Sequence, residues 1–133
     1  MASQDQQAKR PTLLVVEDEE VLVELLKTML EAQGFRVIIA TDGREAVKQY
    51  ENMRNEIDIV LTDMGLPKLG GWDVLAHVRA MNPNARVVCA SGFMDSSLRD
   101  EMIKAGAYEF VQKPYVYDQL VKLFREILQN QPR

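Results

Sequence analysis

Five short apolar runs begin near residues 12, 35, 57, 85 and 107, and each is followed by a segment whose apolar residues recur with helical spacing. That alternation leaves little freedom. Most of the runs are rich in Val and Ile, as strands buried on both faces are. Strand and helix in strict alternation imply a parallel sheet covered by helices on both sides. Right-handed crossovers leave few ways to wind such a sheet. The expected class is α/β: a flavodoxin-like (βα)5 doubly wound parallel sheet with strand order 2-1-3-4-5. Its switch point lies between strands one and three.

The helical segments carry their own signals. Leu22, Leu25, Leu26, Met29 and Leu30 form one apolar stripe that ends near Gly34. Ala46, Val47, Tyr50 and Met53 form a second, preceded by Asp42 and Glu45 in capping-box spacing. Val74, Leu75 and Val78 form a third, stopped near Asn82-Pro83. Leu98, Met102 and Ala105 form a fourth, with Gly106 at the C′ position. Leu120, Phe124, Ile127 and Leu128 form the fifth.

At 133 residues with 47% apolar content, the chain suits one domain with one core. Residues 1–11 read as a flexible polar leader, 12–129 as the folded domain, and 130–133 as a polar tail. Net charge is −4, with both signs dispersed and no basic stripe. Direct nucleic-acid binding is therefore not expected. Nothing resembles a signal peptide or a segment for membrane insertion. The single cysteine, Cys89, lies within an apolar run, which fits a reducing, cytoplasmic setting.

The chemistry collects at the ends of the runs. Glu17 and Asp18 follow Leu13-Leu14-Val15-Val16; Asp63 follows Ile57 to Thr62; Ser91 follows Val87 to Ala90. Lys113 follows Phe110-Val111-Gln112 and precedes Pro114, where a cis peptide would aim the lysine. In a parallel sheet these residues converge on the edge where open α/β sheets bind ligands. At a separation of ~4 Å and an effective dielectric near 20, each pair of carboxylates costs about 4 kcal/mol. A cation offsets this. Hard oxygens without a histidine or second cysteine suit Mg²⁺, with Mn²⁺ as a substitute, rather than zinc. Asp63, ending the central strand, is the best nucleophile and can accept a phosphoryl group as an acyl phosphate. Lys113 and Ser91 then supply a charge and a hydrogen bond to phosphoryl oxygens.

Taken singly, each piece has an ordinary alternative. Glu17-Asp18 suits an N-cap. Asp63-Met64-Gly65-Leu66-Pro67 and Ser91-Gly92 suit turns. The conjunction, one piece per strand end in chain order, carries the argument. With Val15-Val16-Glu17-Asp18-Glu19, Asp58 to Pro67 with Gly71, Val88 to Gly92, and Phe110 to Pro114, the chain resembles the receiver domains of bacterial two-component response regulators over residues 12–129.

The resemblance implies that Asp63 is the phospho-acceptor. It implies that Glu17, Asp18, Asp63 and the backbone carbonyl of Gly65 hold Mg²⁺. Ser91 matches the switch hydroxyl, Lys113 the phosphate-contacting lysine, and Phe110 the aromatic switch position. The implied partners are a sensor histidine kinase or phosphotransfer domain, and a downstream protein target or linked kinase module. The implied role is a switch that promotes its own phosphorylation and dephosphorylation, rather than an enzyme. Its expected output surface is the fourth helix, fifth strand and fifth helix, including Arg99, Lys104, Tyr115 and Gln119.

Three departures stand out. Glu17 occupies a position where Asp is common, so its metal contact is expected through water. Gly70 replaces an Asp often found before Gly71. Gly65 is small beside the phosphoryl group, with Phe93 placed to cover it. His77 reads as a helix-surface residue. Trp72 is expected to pack against the sheet or a loop, and Tyr117 to be structural, while Tyr115 is open between structure and partner contact.

Two rival functions fit these residues less well. A phosphatase of the haloacid-dehalogenase type needs a second Asp two residues after the nucleophile, and Gly65 stands there. A receiver fold without phosphorylation is disfavoured by five chemically competent positions. No nucleotide-binding Gly-x-x-x-x-Gly-Lys loop is present. The chain reads as a stand-alone receiver or as one module of a larger protein. The residues around Ser91 and Gly65 look most like the receiver modules of hybrid sensor kinases.

Overall fold

The computed structural model describes residues 10–65, 70–93 and 95–130. Most of the leader, Leu66-Pro67 of the second motif, and the last three residues lie outside the described residues. The elements alternate as β1 (Thr12–Val16), α1 (Glu20–Ala32), β2 (Arg36–Ala40), α2 (Gly43–Met53), β3 (Ile59–Asp63), α3 (Gly71–Met81), β4 (Val87–Ser91), α4 (Ser96–Lys104), β5 (Glu109–Gln112) and α5 (Tyr117–Gln129). The five strands form one parallel sheet in the order β2-β1-β3-β4-β5, as the alternation predicts.

The sheet separates two cores. Leu14, Val16, Val60, Val87 and Cys89 face α2, α3 and α4 through Ala46, Tyr50, Val74, Leu75 and Met102. Leu13, Val15, Ile59, Leu61 and Val88 face α1 and α5 through Leu26, Leu30, Leu120, Phe124 and Ile127. Alternate residues of one strand thus feed opposite cores, as the twofold period of a strand requires. Every residue of β1 and β3 is buried.

Local details depart from expectation where the tertiary context decides. β3, β4 and β5 begin two residues later than their apolar runs. Ile57, Ala85 and Ala107 are buried in the approaches to those strands instead. In α1 only Leu26 and Leu30 are buried; Leu25 is 48% and Met29 39% exposed, because the sheet covers less than the width of the stripe. Ala105 is exposed, being the C-cap of α4 rather than part of its packed face. Trp72, on α3, is 37% exposed and belongs to neither core, so it does not pack on the sheet.

The helix ends follow their caps. Asp42 Oδ1 accepts from the Glu45 N–H at 2.8 Å, but Glu45 Oε1 returns to the N–H of Thr41, one residue before the cap. Asp95 caps α4 by accepting from the Leu98 N–H. Gly34 and Gly106 take φ of +94° and +108°, the left-handed region where glycine ends helices.

Candidate phosphoacceptor and metal site

The sheet places the candidate residues by backbone hydrogen bonds between strands. The Glu17 N–H donates to Ala40 O, Met64 N–H to Ala90 O, and Lys113 N–H to Ser91 O, each extending a ladder one step past a strand. Asp63 and Ser91 are the last residues of β3 and β4, rather than lying just beyond them. The three expected acids meet: one carboxylate oxygen each from Glu17, Asp18 and Asp63 lies within 4.8 Å of the others.

Lys113 joins them. Its Nζ lies 3.0 Å from Glu17 Oε1 and 3.3 Å from Asp63 Oδ2. Pro114 follows through a cis peptide, as anticipated. Asp63 Oδ1 accepts from the Gly65 N–H at 3.1 Å, so both oxygens of the central carboxylate are oriented. Gly71 completes the support from behind. A Cβ there would stand 2.5 Å from Asp63 O and 2.6 Å from Met64 Cα, so only glycine lets α3 start this close to β3.

The two leading acids are not equivalent. Glu17 is 1% exposed, and its second oxygen accepts from the Glu19 N–H. Asp18 is exposed. The helix-cap alternative does not hold, since the N-cap of α1 is Glu19 and no side chain caps it. Burial, the largest influence, pushes the Glu17 carboxyl above its ordinary value; Lys113 and the Glu19 N–H pull back, and the charge of Asp63 adds to the rise. Burial alone would lower the Lys113 ammonium. Glu17 first, then Asp63, outweigh it and hold the ammonium above its usual range. One ammonium facing three carboxylates leaves an excess of negative charge. Hard oxygens, uncompensated charge and a partly exposed rim fit a divalent cation such as Mg²⁺.

Ser91 and Phe110 sit at the side of this cluster. The Ser91 hydroxyl donates to Phe93 O at 2.7 Å, so it is turned toward its own loop. Phe110 pairs in register with Cys89, two residues before Ser91. Partners in a parallel ladder, and residues two apart on a strand, share a face. Phe110 and Ser91 therefore lie on the same side of the sheet. Phe93, expected as a cover, is 69% exposed. His77 is on the surface of α3, its ring held by Asp73 O. Tyr115 and Tyr117 both pack against the α1/α5 core, which favours structure for each. Sequence reasoning missed the guanidinium of Arg99 stacked 4.5 Å from the Phe110 ring centroid. An arginine eleven residues before an aromatic gives no local pattern to read.

Residues 13–125 match the model of the response regulator receiver domain, and the chain belongs to that family. It is a receiver domain of two-component signalling, similar to the CheY proteins. The chemotaxis protein CheY of Thermotoga maritima is 31% identical over 116 residues, covering 86% of this chain and 95% of that protein. A response regulator receiver domain protein from Clostridium thermocellum superposes with a TM-score of 0.84 at 29% identity, covering 90% of this chain and 94% of that one. A complex of CheX with CheY, BeF3 and Mg²⁺ from Borrelia burgdorferi gives a TM-score of 0.84 at 30% identity, covering 89% of each chain. Among the described residues, no helix is long and apolar enough to cross a membrane.

Proposed function

We propose that Asp63 is the phospho-acceptor of this receiver domain and that Glu17, Asp18, Asp63 and the Gly65 carbonyl hold Mg²⁺. The observation that carries this reading is the Asp63 carboxylate itself. It ends the central strand, lies within 4.8 Å of two further acids and is touched by a lysine at 3.3 Å. Mg²⁺, when bound, neutralises charge on phosphoryl oxygens.

An Asp63 oxygen attacks phosphorus while the bond to the donor histidine nitrogen breaks. The donor ring carries a proton on its other nitrogen, so the products are an aspartyl phosphate and a neutral imidazole. Gly65 and the β3 backbone fix the carboxylate's orientation, which is most of what this transfer asks of a protein. Lys113 must then exchange its contact with Asp63 for one with a phosphoryl oxygen. Asp18, exposed and able to turn, suits direct metal contact. Glu17, buried and held at both oxygens, suits contact through water.

A sensor histidine kinase or phosphotransfer domain serves as donor, and the domain promotes its own phosphorylation and dephosphorylation. A phosphoryl oxygen draws the Ser91 hydroxyl away from Phe93 O, and Phe110 turns into the space released. The surface of α4, β5 and α5 then changes toward a protein target or a linked kinase module. The folded receiver spans 12–129.

Incubation with acetyl phosphate and Mg²⁺ tests the assignment. The wild-type protein should gain one hydroxylamine-labile phosphoryl group by intact mass, and Asp63→Asn should gain none, since its amide is a poor nucleophile. Equal labelling of both proteins overturns it.

A further inference from the structure

We infer that Arg99 is a positioning residue for the switch: its guanidinium holds the Phe110 ring in the unphosphorylated position and sets how readily the ring moves. The inference rests on the Ser91–Phe110 reading above and adds a residue to it.

The guanidinium carbon lies 4.5 Å from the centroid of the Phe110 ring, within the range of a cation–π contact. Among the described residues no ion pair claims that guanidinium. Helix stability does not explain a cation here either. Arg99 N–H donates to the carbonyl of the N-cap Asp95, which puts Arg99 at the end of the first turn of α4, where the helix dipole gives a positive charge no support. The ring is what the arginine serves.

The position also couples the contact to the site. Asp95, the cap of α4, stands four residues after Ser91, and the Ser91 hydroxyl donates to Phe93 O and accepts from Phe93 N–H, two residues along. Phosphorylation draws Ser91 toward β3, the neighbour of β4 on the side away from β5. Phe110 then turns from α4 toward β4. The Arg99 backbone is fixed in α4, so a ring turning toward β4 moves away from the residue that carries the cation. The contact exists in one position of the ring and not in the other, which is the differential free energy that a biasing residue needs.

Removing the guanidinium should therefore favour the turned ring. Beryllofluoride with Mg²⁺, titrated by NMR, measures the bias. Arg99→Met keeps an apolar stem over the ring without charge, and Arg99→Ala removes both. Both variants should bind beryllofluoride about two- to fivefold tighter than wild type. Their Phe110 ring signals in the free state should already be displaced toward the bound positions. Arg99→Lys retains a cation and should stay nearer wild type.

Wild-type affinity with undisplaced ring signals in Arg99→Met and Arg99→Ala overturns the inference while leaving the Ser91–Phe110 switch standing. Weaker binding in both overturns it too, showing that the guanidinium follows the ring. A wild-type Phe110 signal indifferent to beryllofluoride overturns the switch and the inference together.

Discussion

Strands β3 and β5 belong to one sheet, two places apart, and differ in almost every physical respect. All five residues of β3 are buried, whereas none of β5 is. β3 is paired on both sides, while β5 is one of the two edge strands. The helices repeat the contrast: α3 buries Gly71, Val74, Leu75 and Val78, while α4 buries Met102 alone. The proposed nucleophile sits on the first strand, and the proposed responders sit on and beside the second. A nucleophile gains from a geometry that cannot drift. A switch needs two arrangements separated by little free energy. One sheet supplies both by grading burial from its centre to its edge.

Truncation in the two strands should expose that gradient most strongly. Leu61→Ala on β3 removes a fully buried side chain and should cost about 2–5 kcal/mol in urea unfolding. Val111→Ala on β5 removes a half-buried one and should cost about 1 kcal/mol. Equal losses would break the comparison.

A smaller effect is expected behind the nucleophile. Gly71→Ala forces the Asp63 carbonyl and Met64 Cα to move, costing about 1–3 kcal/mol and slowing labelling of Asp63 by acetyl phosphate. Among the described residues, Gly70→Ala meets only Asp73 Oδ2, at 3.9 Å, and should change neither. A Gly71→Ala protein with wild-type stability and labelling would show that β3 is less rigid than its burial indicates.

Cys89 on β4 provides the mildest probe. It is completely buried, and burial pushes its thiol from an ordinary value of 9.0 up to about 12. At pH 8 a maleimide should leave the native protein unlabelled and react once urea unfolds it. Below pH 9 both states keep the proton, so ionisation of the thiol does not affect stability. Between pH 9 and about 12 only the unfolded state releases it, so this group's contribution to stability falls as pH rises. Cys89→Ala should flatten that part of the profile. Rapid native labelling would mean that β4 opens far more readily than β3.

The five strands, and the four strand ends where the candidate residues meet, could be read from the sequence because each rests on local pattern. An apolar run says where a strand lies, parallel order says which ends are adjacent, and side-chain type says what can happen there. Contacts set by packing were not legible. The stripe of α1 did not reveal that Leu25 and Met29 stay exposed, because the width of the covering sheet is a tertiary quantity. Capping-box spacing identified Asp42 and Glu45, but the return bond went to Thr41, a choice made by a single rotamer. The same is true of the Ser91 hydroxyl, which faces Phe93 O, and of Arg99 over Phe110. Such features depend on where side chains turn after the backbone is set.

On the proposed reading, a phosphoryl group on the rigid strand β3 is answered by the loose edge at β5. Amide NMR of the whole protein, with and without beryllofluoride and Mg²⁺, tests it most directly. Beyond the contacts around Asp63, shift changes should run from Ser91 through α4 and β5 to Gln119, while Leu13 to Val15 of β1 and Ile59 to Leu61 of β3 stay in place. Changes confined to the neighbourhood of Asp63, or spread evenly over all five strands, would contradict it.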